Sequence, residues 1–291
     1  MRQFLRPKIS ILITITFLLI VTLSVIIINK TQPAKKQSNQ SISSNASKNF
    51  NFSSISNSSS VASSQINSSS PSIIKSKYNS LLNGKDFSEI YNNIKYEHVG
   101  SVTDSINIYN NPLVDTYITK KAEARGYIRR AQADTTRLIA VENSQILQPE
   151  AAAAFINLKN RALKDNIQLT LVSGYRSVEL QKTIFVNRFG NYQQEAILNG
   201  SVDSQLEEIF NTTSIPGYSR HHTGYTFDLG CNSEQLTIFK NTACYQWISN
   251  NNFEIAKEFG LIPSYPEGGE LQGPEPEAWE YVWVGSQVLP K

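Results

Sequence analysis

The sequence predicts an α+β domain in the second half of a chain of 291 residues. Four short runs with strand-like apolar patterns lie at 167–171, 225–229, 261–265 and 278–285. Amphipathic helix patterns begin at Pro149, after Ser177 and at Ala243. Because these helices and strands do not alternate in regular βαβ units, the pattern favours an α+β arrangement over a parallel α/β sheet.

Composition limits the classes of function. The net charge is only +3 and 18% of the residues are charged, so the chain lacks the basic character typical of nucleic-acid binding. Apolar residues make up 40% of the chain, which is enough for one sizeable core. Length alone would allow two domains, but the polar N-terminal part favours a single core after it.

The N-terminus carries a candidate membrane anchor. Residues 1–8 are basic, and a continuous apolar run of 20 residues follows at 9–28, long enough to span a bilayer as a helix. The run is longer than a signal-peptide core, and no cysteine follows it for lipid attachment. We expect a short cytoplasmic N-terminus at 1–8 and a single-pass anchor at 9–28 in the cell membrane, with the C-terminal domain extracytoplasmic. Later cleavage of the anchor stays an alternative.

The next two segments differ in composition. Residues 29–75 are rich in serine and asparagine and cannot bury enough apolar area to offset the entropy of ordering, so we expect a disordered, flexible linker. Its r.m.s. reach is roughly 35 to 40 Å. Residues 76–148 form a helical lead-in region, in which 116–133 predicts a solvated helix that exposes Arg125, Arg129 and Arg130. The predicted α+β domain itself is expected at 149–291.

Residues 216–229 read PGYSRHHTGYTFDL and contain a candidate metal-binding pair. His221 lies in a loop, and Asp228 follows it on a predicted strand, so the two side chains could converge. A histidine, an aspartate and a third ligand elsewhere would suit a catalytic zinc site, which uses three protein ligands and keeps one position open. The alternative is two unrelated surface residues.

Arg176 is predicted at a strand end, directly before the helix that Ser177 caps, and Gln181 lies one turn into that helix. The arginine has two interpretations. It could be a capping or ion-paired residue, or it could clamp a carboxylate or a developing oxyanion.

Cys231 and Cys244 are the only cysteines. Outside the cytoplasm we expect them to form a disulfide, whose closed loop of about 14 residues adds roughly 3 kcal/mol in the chain-entropy model. Free thiols are the alternative, and the spacing does not favour a metal site.

Three blocks of the chain resemble the motifs of the VanY-like D-alanyl-D-alanine carboxypeptidases. Residues 173–177 read SGYRS and precede Gln181, as in the S-G-Y-R-S-x-x-x-Q element of that family. Residues 216–228 match the signature P-G-x-S-x-H-x-x-G-x-A-x-D, with Thr226 for alanine. Residues 259–266 and 277–285 resemble the closing blocks G-F-x-x-R-Y-P and E-P-W-H-x-R-Y-V-G. The resemblance covers 149–285, and its middle block is highly specific.

The resemblance implies a fold of zinc-peptidase type, with a small antiparallel sheet and flanking helices, that acts on peptidoglycan stem peptides. It implies that His221 and Asp228 bind zinc and that Glu277 is the general base, which takes a proton from the attacking water and passes it to the leaving amine. Arg176 would stabilise the oxyanion or bind the substrate carboxylate. The implied substrate-binding residues are Arg176, Gln181 and Ser219.

One metal position departs from the family pattern, because Glu280 stands where the pattern has its third zinc-ligand histidine. Carboxylates do bind zinc, so the first reading is a His-Asp-Glu site for zinc or another divalent ion such as manganese. The alternatives are that His222 enters as a ligand or that the site is lost. Other departures include Ser264, which stands where the pattern has an arginine before Tyr265.

The spacing of Glu277 and Glu280 sets a geometric condition. Residues three apart point to opposite sides of a regular strand. Both carboxylates can therefore reach one metal only if Glu277 lies in an irregular lead-in to the strand, as we expect after Pro276.

These features together predict a membrane-anchored metallocarboxypeptidase that removes the terminal D-alanine of peptidoglycan stem peptides. We expect a monomer that contacts stem peptides and the membrane and binds no nucleic acid. The alternative is a catalytically impaired peptidoglycan-binding module of the same fold. The sequence leaves open whether a D,D or an L,D bond is cut.

Overall fold

The structure is a computed structural model that describes residues 81–102, 107–269 and 271–290. The predicted N-terminus at 1–8, the anchor at 9–28 and the linker at 29–75 lie outside these residues. In the ranges that are described, no helix combines the length and the apolarity needed to cross a membrane.

The described ranges contain helices and short strands in a mixed order. The helices are α1 (Gly84–Asn93), α2 (Pro112–Ala124), α3 (Pro149–Lys164), α4 (Val178–Phe189), α5 (Gln194–Leu198), α6 (Asp203–Phe210) and α7 (Ala243–Glu258). The strands are β1 (Val99–Val102), β2 (Ala131–Ala133), β3 (Ile139–Ala140), β4 (Ile146–Leu147), β5 (Leu169–Ser173), β6 (Thr226–Cys231), β7 (Leu261–Tyr265) and β8 (Glu277–Trp283). Short 3-10 turns lie at Arg220–Thr223, Leu236–Asn241 and Ser286–Val288.

A four-stranded sheet with the order β5-β6-β8-β7 forms the centre of the fold, and every neighbouring pair in it is antiparallel. The four strands are those that the apolar patterns predicted, with shifts of one or two residues at their ends. The α+β class with a small antiparallel sheet and flanking helices is therefore confirmed. Two short antiparallel strand pairs, β1-β2 and β3-β4, lie outside this sheet and were not predicted.

Two apolar cores hold the elements together. The larger core covers the sheet and includes Phe155 of α3, whose ring meets that of Phe227 on β6 edge-on at 5.8 Å between centroids. The smaller core joins α2 to α4, α5 and α6 and includes Ile118, Phe185 and Phe210. Since α1 contributes to the first core and α2 to the second, the lead-in region packs directly on elements that follow residue 149.

The helix predicted at 243–259 is interrupted. Asn251, Asn252 and Phe253 adopt left-handed conformations in the middle of α7, with φ of 47°, 58° and 59°. Asparagine tolerates this region better than most residues. The Asn252 side chain also pairs with the backbone of Leu82, through Oδ1 to the amide and Nδ2 to the carbonyl, each at 2.7 Å. A contact with the lead-in region thus replaces the continuous helix.

The interpretation of 116–133 as one solvated helix is wrong. The helix ends at Ala124, and Arg125, Arg129 and Arg130 are each half-buried. Arg125 donates Nε to the Gly273 carbonyl at 2.7 Å, and Arg129 donates Nε to the Tyr218 hydroxyl at 2.9 Å. These arginines join loops across the domain, a role that their local sequence does not reveal.

Cys231 and Cys244 form the expected disulfide, with their Cα atoms 5.7 Å apart. Both cysteines are buried. The bridge ties the end of β6 to the first turn of α7, directly beyond the strand that carries Asp228.

Candidate metal centre

A short turn presents His221 to the sheet. The Ser219 side chain caps the 3-10 turn at Arg220–Thr223 by accepting from the His221 amide, and Gly224 ends the turn in a left-handed conformation with φ of 73°. The imidazole Nδ1 lies 2.6 Å from the carbonyl of Gly174, to which it donates. This bond makes Nε2 the nitrogen that would face a metal, and an outer hydrogen bond of this kind is typical of metal-binding histidines.

Three buried side chains bring potential ligand atoms together: His221, Asp228 and Glu280. These ligand atoms lie within 4.8 Å of one another. His221 Nε2 is 3.4 Å from Asp228 Oδ1 and 3.1 Å from Glu280 Oε2. The two acids are adjacent because Asp228 on β6 pairs with Glu280 on β8 in the antiparallel register. Ligand atoms about 2.05 Å from a tetrahedral zinc would be about 3.3 Å apart, so these separations fit one ion.

Each carboxylate of the cluster also has one oxygen available to bind a metal. Asp228 Oδ1 and Glu280 Oε1 are buried and accept no hydrogen bond within the described part of the chain. Buried polar atoms without partners are costly, and a cation is one way to satisfy them. A set of one imidazole and two carboxylates suits zinc, and it also suits harder divalent ions such as manganese. The residues present therefore fit a divalent metal.

Arg176 lies at the edge of this cluster. Its Nη2 donates to Asp228 Oδ2 at 2.7 Å and lies 3.0 Å from His221 Nε2, while its Nε donates to Ser173 Oγ at 2.9 Å. The ion-paired interpretation of this arginine therefore describes the structure. The pair leaves the other oxygen of Asp228 free to face the metal position, and the Arg176 side chain keeps 21% exposure.

Electrostatics in the cluster depend on its two carboxylates. Although burial and Arg176 oppose the charged imidazole, Asp228 and Glu280 outweigh them and raise the pKa of His221 to about 9. Burial opposes ionisation of Asp228, but His221 and Arg176 lower its pKa below the usual value. Without a metal, the cluster thus retains a cation on the histidine. Since a metal ligand must give up that proton, binding of an ion would release it.

Glu277 lies beside the three donors because β8 is irregular. In the pairing of β7 with β8, Pro263 lies opposite Tyr281 and Tyr265 lies opposite Glu277. One residue of β7, Ser264, therefore lies opposite the three residues of β8 between Glu277 and Tyr281. This bulge cancels the normal alternation and brings the Glu277 carboxyl group close enough to Glu280 and Asp228 for their charges to act on it. Burial, followed by the charges of Glu280 and Asp228, raises the pKa of Glu277 well above its ordinary value. Glu277 is thus the first residue of β8 and does not lie in a lead-in before the strand as expected; the register shift within the strand pair meets the geometric condition instead.

The remaining predicted site residues, Gln181 and Ser219, have internal contacts. Gln181 is buried and donates Nε2 to the Ser214 carbonyl at 2.7 Å, while its Oε1 has no partner among the described residues. Ser219 is also buried and caps the turn of His221. Their proposed contacts with substrate stay predictions.

His222 is not available as a metal ligand. Its Nε2 accepts from the Gly217 amide at 3.0 Å, and its Nδ1 donates to the Arg176 carbonyl at 2.7 Å. The alternative in which His222 replaces the missing histidine is therefore wrong. The ring instead ties the loop before His221 to the loop of Arg176, a role that spacing could not distinguish from ligation.

Lowering the pH should weaken the link that His222 makes between these two loops. Burial lowers the pKa of His222 from 6.5 to about 4, so the unfolded chain binds its proton first as the pH falls between those values. The contribution of neutral His222 to the free energy of unfolding is present above pH 6.5 and is lost toward pH 4. Between pH 7 and pH 5 this loss amounts to about 2 kcal/mol. The variant His222→Gln can keep both hydrogen bonds but does not titrate. Between pH 7 and pH 5 its free energy of unfolding should therefore fall by about 2 kcal/mol less than that of the wild type. Urea denaturation at the two pH values measures it, and equal falls in both proteins would contradict the assignment.

Comparison with known proteins agrees with this geometry. Residues 144–286 match the family model of VanY, described as D-alanyl-D-alanine carboxypeptidase. YodJ of Bacillus subtilis (strain 168), which is named as a carboxypeptidase, is 31% identical over 146 residues, covering 49% of this chain and 48% of its own. A D-alanyl-D-alanine carboxypeptidase of Enterococcus faecalis (strain ATCC 700802 / V583) is 26% identical over 136 residues, covering 46% and 47%. The match thus spans about half the length of each relative.

A solved structure is also similar. The zinc-bound crystal structure of a mutant of the vancomycin-resistance D,D-pentapeptidase VanY aligns with a TM-score of 0.41 and 23% identity, over 55% of this chain and 82% of that one. The assignment depends on the family match of 144–286 and on the relatives named as carboxypeptidases. Residues 144–286 are therefore similar to the VanY family of D-alanyl-D-alanine carboxypeptidases.

Proposed function

We propose that the protein is a membrane-anchored metallocarboxypeptidase that removes the terminal D-alanine from peptidoglycan stem peptides. The observation that carries the proposal is the buried cluster of His221, Asp228 and Glu280 with the Glu277 carboxyl group in contact with it. The anchor would be the apolar segment at 9–28, which would place the domain outside the cytoplasm beside its substrate. Zinc is the first candidate for the ion because one imidazole and two carboxylates are ligands that it accepts.

The residues would divide the chemistry among them. A bound divalent ion supplies Lewis acidity toward the scissile carbonyl. Glu277 takes a proton from the attacking water and delivers it to the nitrogen of the departing D-alanine, so that water and the peptide bond are consumed and a new carboxylate and an amine are formed. Its raised pKa suits a group that must hold that proton between the two steps. Arg176 would stabilise the oxyanion or hold the substrate carboxylate, and Gln181 and Ser219 would line the stem peptide.

The test is digestion of purified muropeptides by the full chain in detergent, with and without a chelator. Release of free D-alanine that stops on chelation and returns with added zinc is the expected result. Retention of stem peptide without any release would overturn the peptidase and support the alternative, a peptidoglycan-binding module. That alternative is carried by one observation, the glutamate at 280 where the family pattern has histidine.

Glu280 should determine which metal the site prefers. Two anionic ligands reduce the Lewis acidity of zinc relative to a site with two histidines, and carboxylates favour harder ions. Glu280→His should therefore shift the ratio of zinc to manganese affinity toward zinc on the order of ten-fold, or about 1.4 kcal/mol. Competition titrations with a chromophoric chelator measure both affinities. An unchanged ratio would show that residue 280 is not a ligand.

A further inference from the structure

The residue before His221 has a contact pattern that the proposed chemistry does not use. Arg220 is only 2% exposed and is among the largest fully buried side chains in the described part of the chain. A buried guanidinium is costly unless its charge is satisfied. None of the ion pairs found between described residues involves Arg220, so other groups must stabilise it.

Two aromatic rings supply that stabilisation. The Arg220 guanidinium lies 4.1 Å from the ring centroid of Tyr91 and 3.8 Å from that of Tyr265. Its Nη1 donates to the Ser264 carbonyl and lies 3.2 Å from Ser264 Oγ. A cation over the face of an aromatic ring is attracted by the negative charge of that face, and the attraction is stronger where water is excluded. We call the group Tyr91, Arg220 and Tyr265 the Arg220 stack.

The stack joins α1 to two elements that border the candidate metal centre. Arg220 is the first residue of the turn that presents His221. Tyr265 ends β7 and pairs with Glu277 at the bulge of β8. Tyr91 lies on α1, upstream of the segment that matches the family model. The lead-in region thus closes the stack from outside the matched segment.

The stack also accounts for one departure from the family pattern. In the block G-F-x-x-R-Y-P, the arginine position before Tyr265 is held here by Ser264. The structure places the guanidinium of Arg220 against that same serine. A guanidinium is therefore present at this location, but the histidine turn supplies it instead of β7.

We propose that Arg220 is a positioning residue, which fixes the turn of His221 against the β7 end that pairs with Glu277, and that Tyr91 of the lead-in region is required to hold it. The proposal rests on the proposed function for its catalytic consequence. Its structural consequence concerns the orientation of the His221 ring and is independent of turnover.

The experiment compares variants of the full chain by three measurements. The first is the NMR signal of the His221 Nδ1 proton in metal-free protein, the second is zinc affinity, and the third is kcat and KM for a stem pentapeptide. Arg220→Ser should displace or broaden the ring signal and lower zinc affinity and kcat by about 10- to 100-fold, as loss of an orienting partner does, with little change in KM. Adding Ser264→Arg should restore the ring signal, zinc affinity and kcat toward the wild-type values.

Variants at Tyr91 keep the test decisive if Arg220→Ser does not fold. Tyr91→Phe keeps a ring face over the guanidinium and should match wild type, whereas Tyr91→Leu removes it and should reproduce the loss. Arg130 lies 4.9 Å from the Tyr91 ring centroid, and Arg130→Met, which leaves the Arg220 stack intact, is the matched control.

The outcomes distinguish failure of the proposed role of Arg220 from failure of the proposed function. A folded Arg220→Ser with an unchanged ring signal, zinc affinity and kcat overturns the proposal, even if its melting temperature falls. Equal values for Tyr91→Leu and Tyr91→Phe, or a folded double variant without recovery, also overturn it. If the wild type binds zinc but releases no D-alanine, the proposed function fails, while the ring signal and zinc affinity still decide the role of Arg220.

Discussion

Replacing Glu277 by glutamine is expected to lower kcat by about 10²- to 10⁴-fold, the range that a positioned general base contributes. Glutamine keeps the size of the side chain, and residue 277 is not one of the three proposed ligands, so the donor cluster should stay assembled. Zinc affinity should therefore remain close to that of the wild type. The measurement is D-alanine release from a stem pentapeptide together with a zinc titration of the same preparation.

Glu275→Gln is the matched control. Glu275 lies two residues before Glu277, its side chain is 66% exposed, and it pairs with Arg125 at 3.2 Å. This variant should retain wild-type kcat. If Glu277→Gln keeps full turnover, then Glu277 is not the base, and a loss of zinc from this variant would instead make the residue a contributor to metal binding.

Asp228→Asn is expected to lower metal affinity by more than about 100-fold and to abolish turnover. Losses of 10- to 100-fold follow the removal of residues that only orient ligands, so the loss of an anionic ligand should exceed them. The substitution also removes the charge that pairs with Arg176 at 2.7 Å. Chelator competition measures the affinity, and excess zinc in the assay should restore part of the activity.

Asp165→Asn provides the comparison for this change. Asp165 lies at the end of α3, where it accepts from Trp247 Nε1 at 2.8 Å and pairs with Arg161. It has no part in the donor cluster, so its variant should bind zinc as the wild type does. Unchanged zinc affinity in Asp228→Asn would exclude the proposed ligand set.

Much of the fold could be predicted because its signals are local. The strands at 167–171 and 225–229 follow from alternation, and Ser177 caps α4 by accepting from the Leu180 amide, as expected for a serine at that position. The interruption of α7 could not be predicted in this way. It depends on Asn252, whose amide pairs with Leu82, a residue 170 positions away in the sequence.

The same distinction between local signals and long-range contacts applies to the candidate site. Motif spacing is a one-dimensional property, so the order of residues is enough to put His221, Asp228, Glu277 and Glu280 at the motif positions. Three further features appear only in the folded chain: the register of β6 and β8 places Asp228 opposite Glu280, a bulge turns Glu277 to the same side, and His222 links two loops. Likewise, the rings of Tyr91 and Tyr265 come within 4.1 and 3.8 Å of the Arg220 guanidinium only after the chain has folded. Register, bulges and stacked rings depend on contacts between distant segments, and no local propensity encodes them.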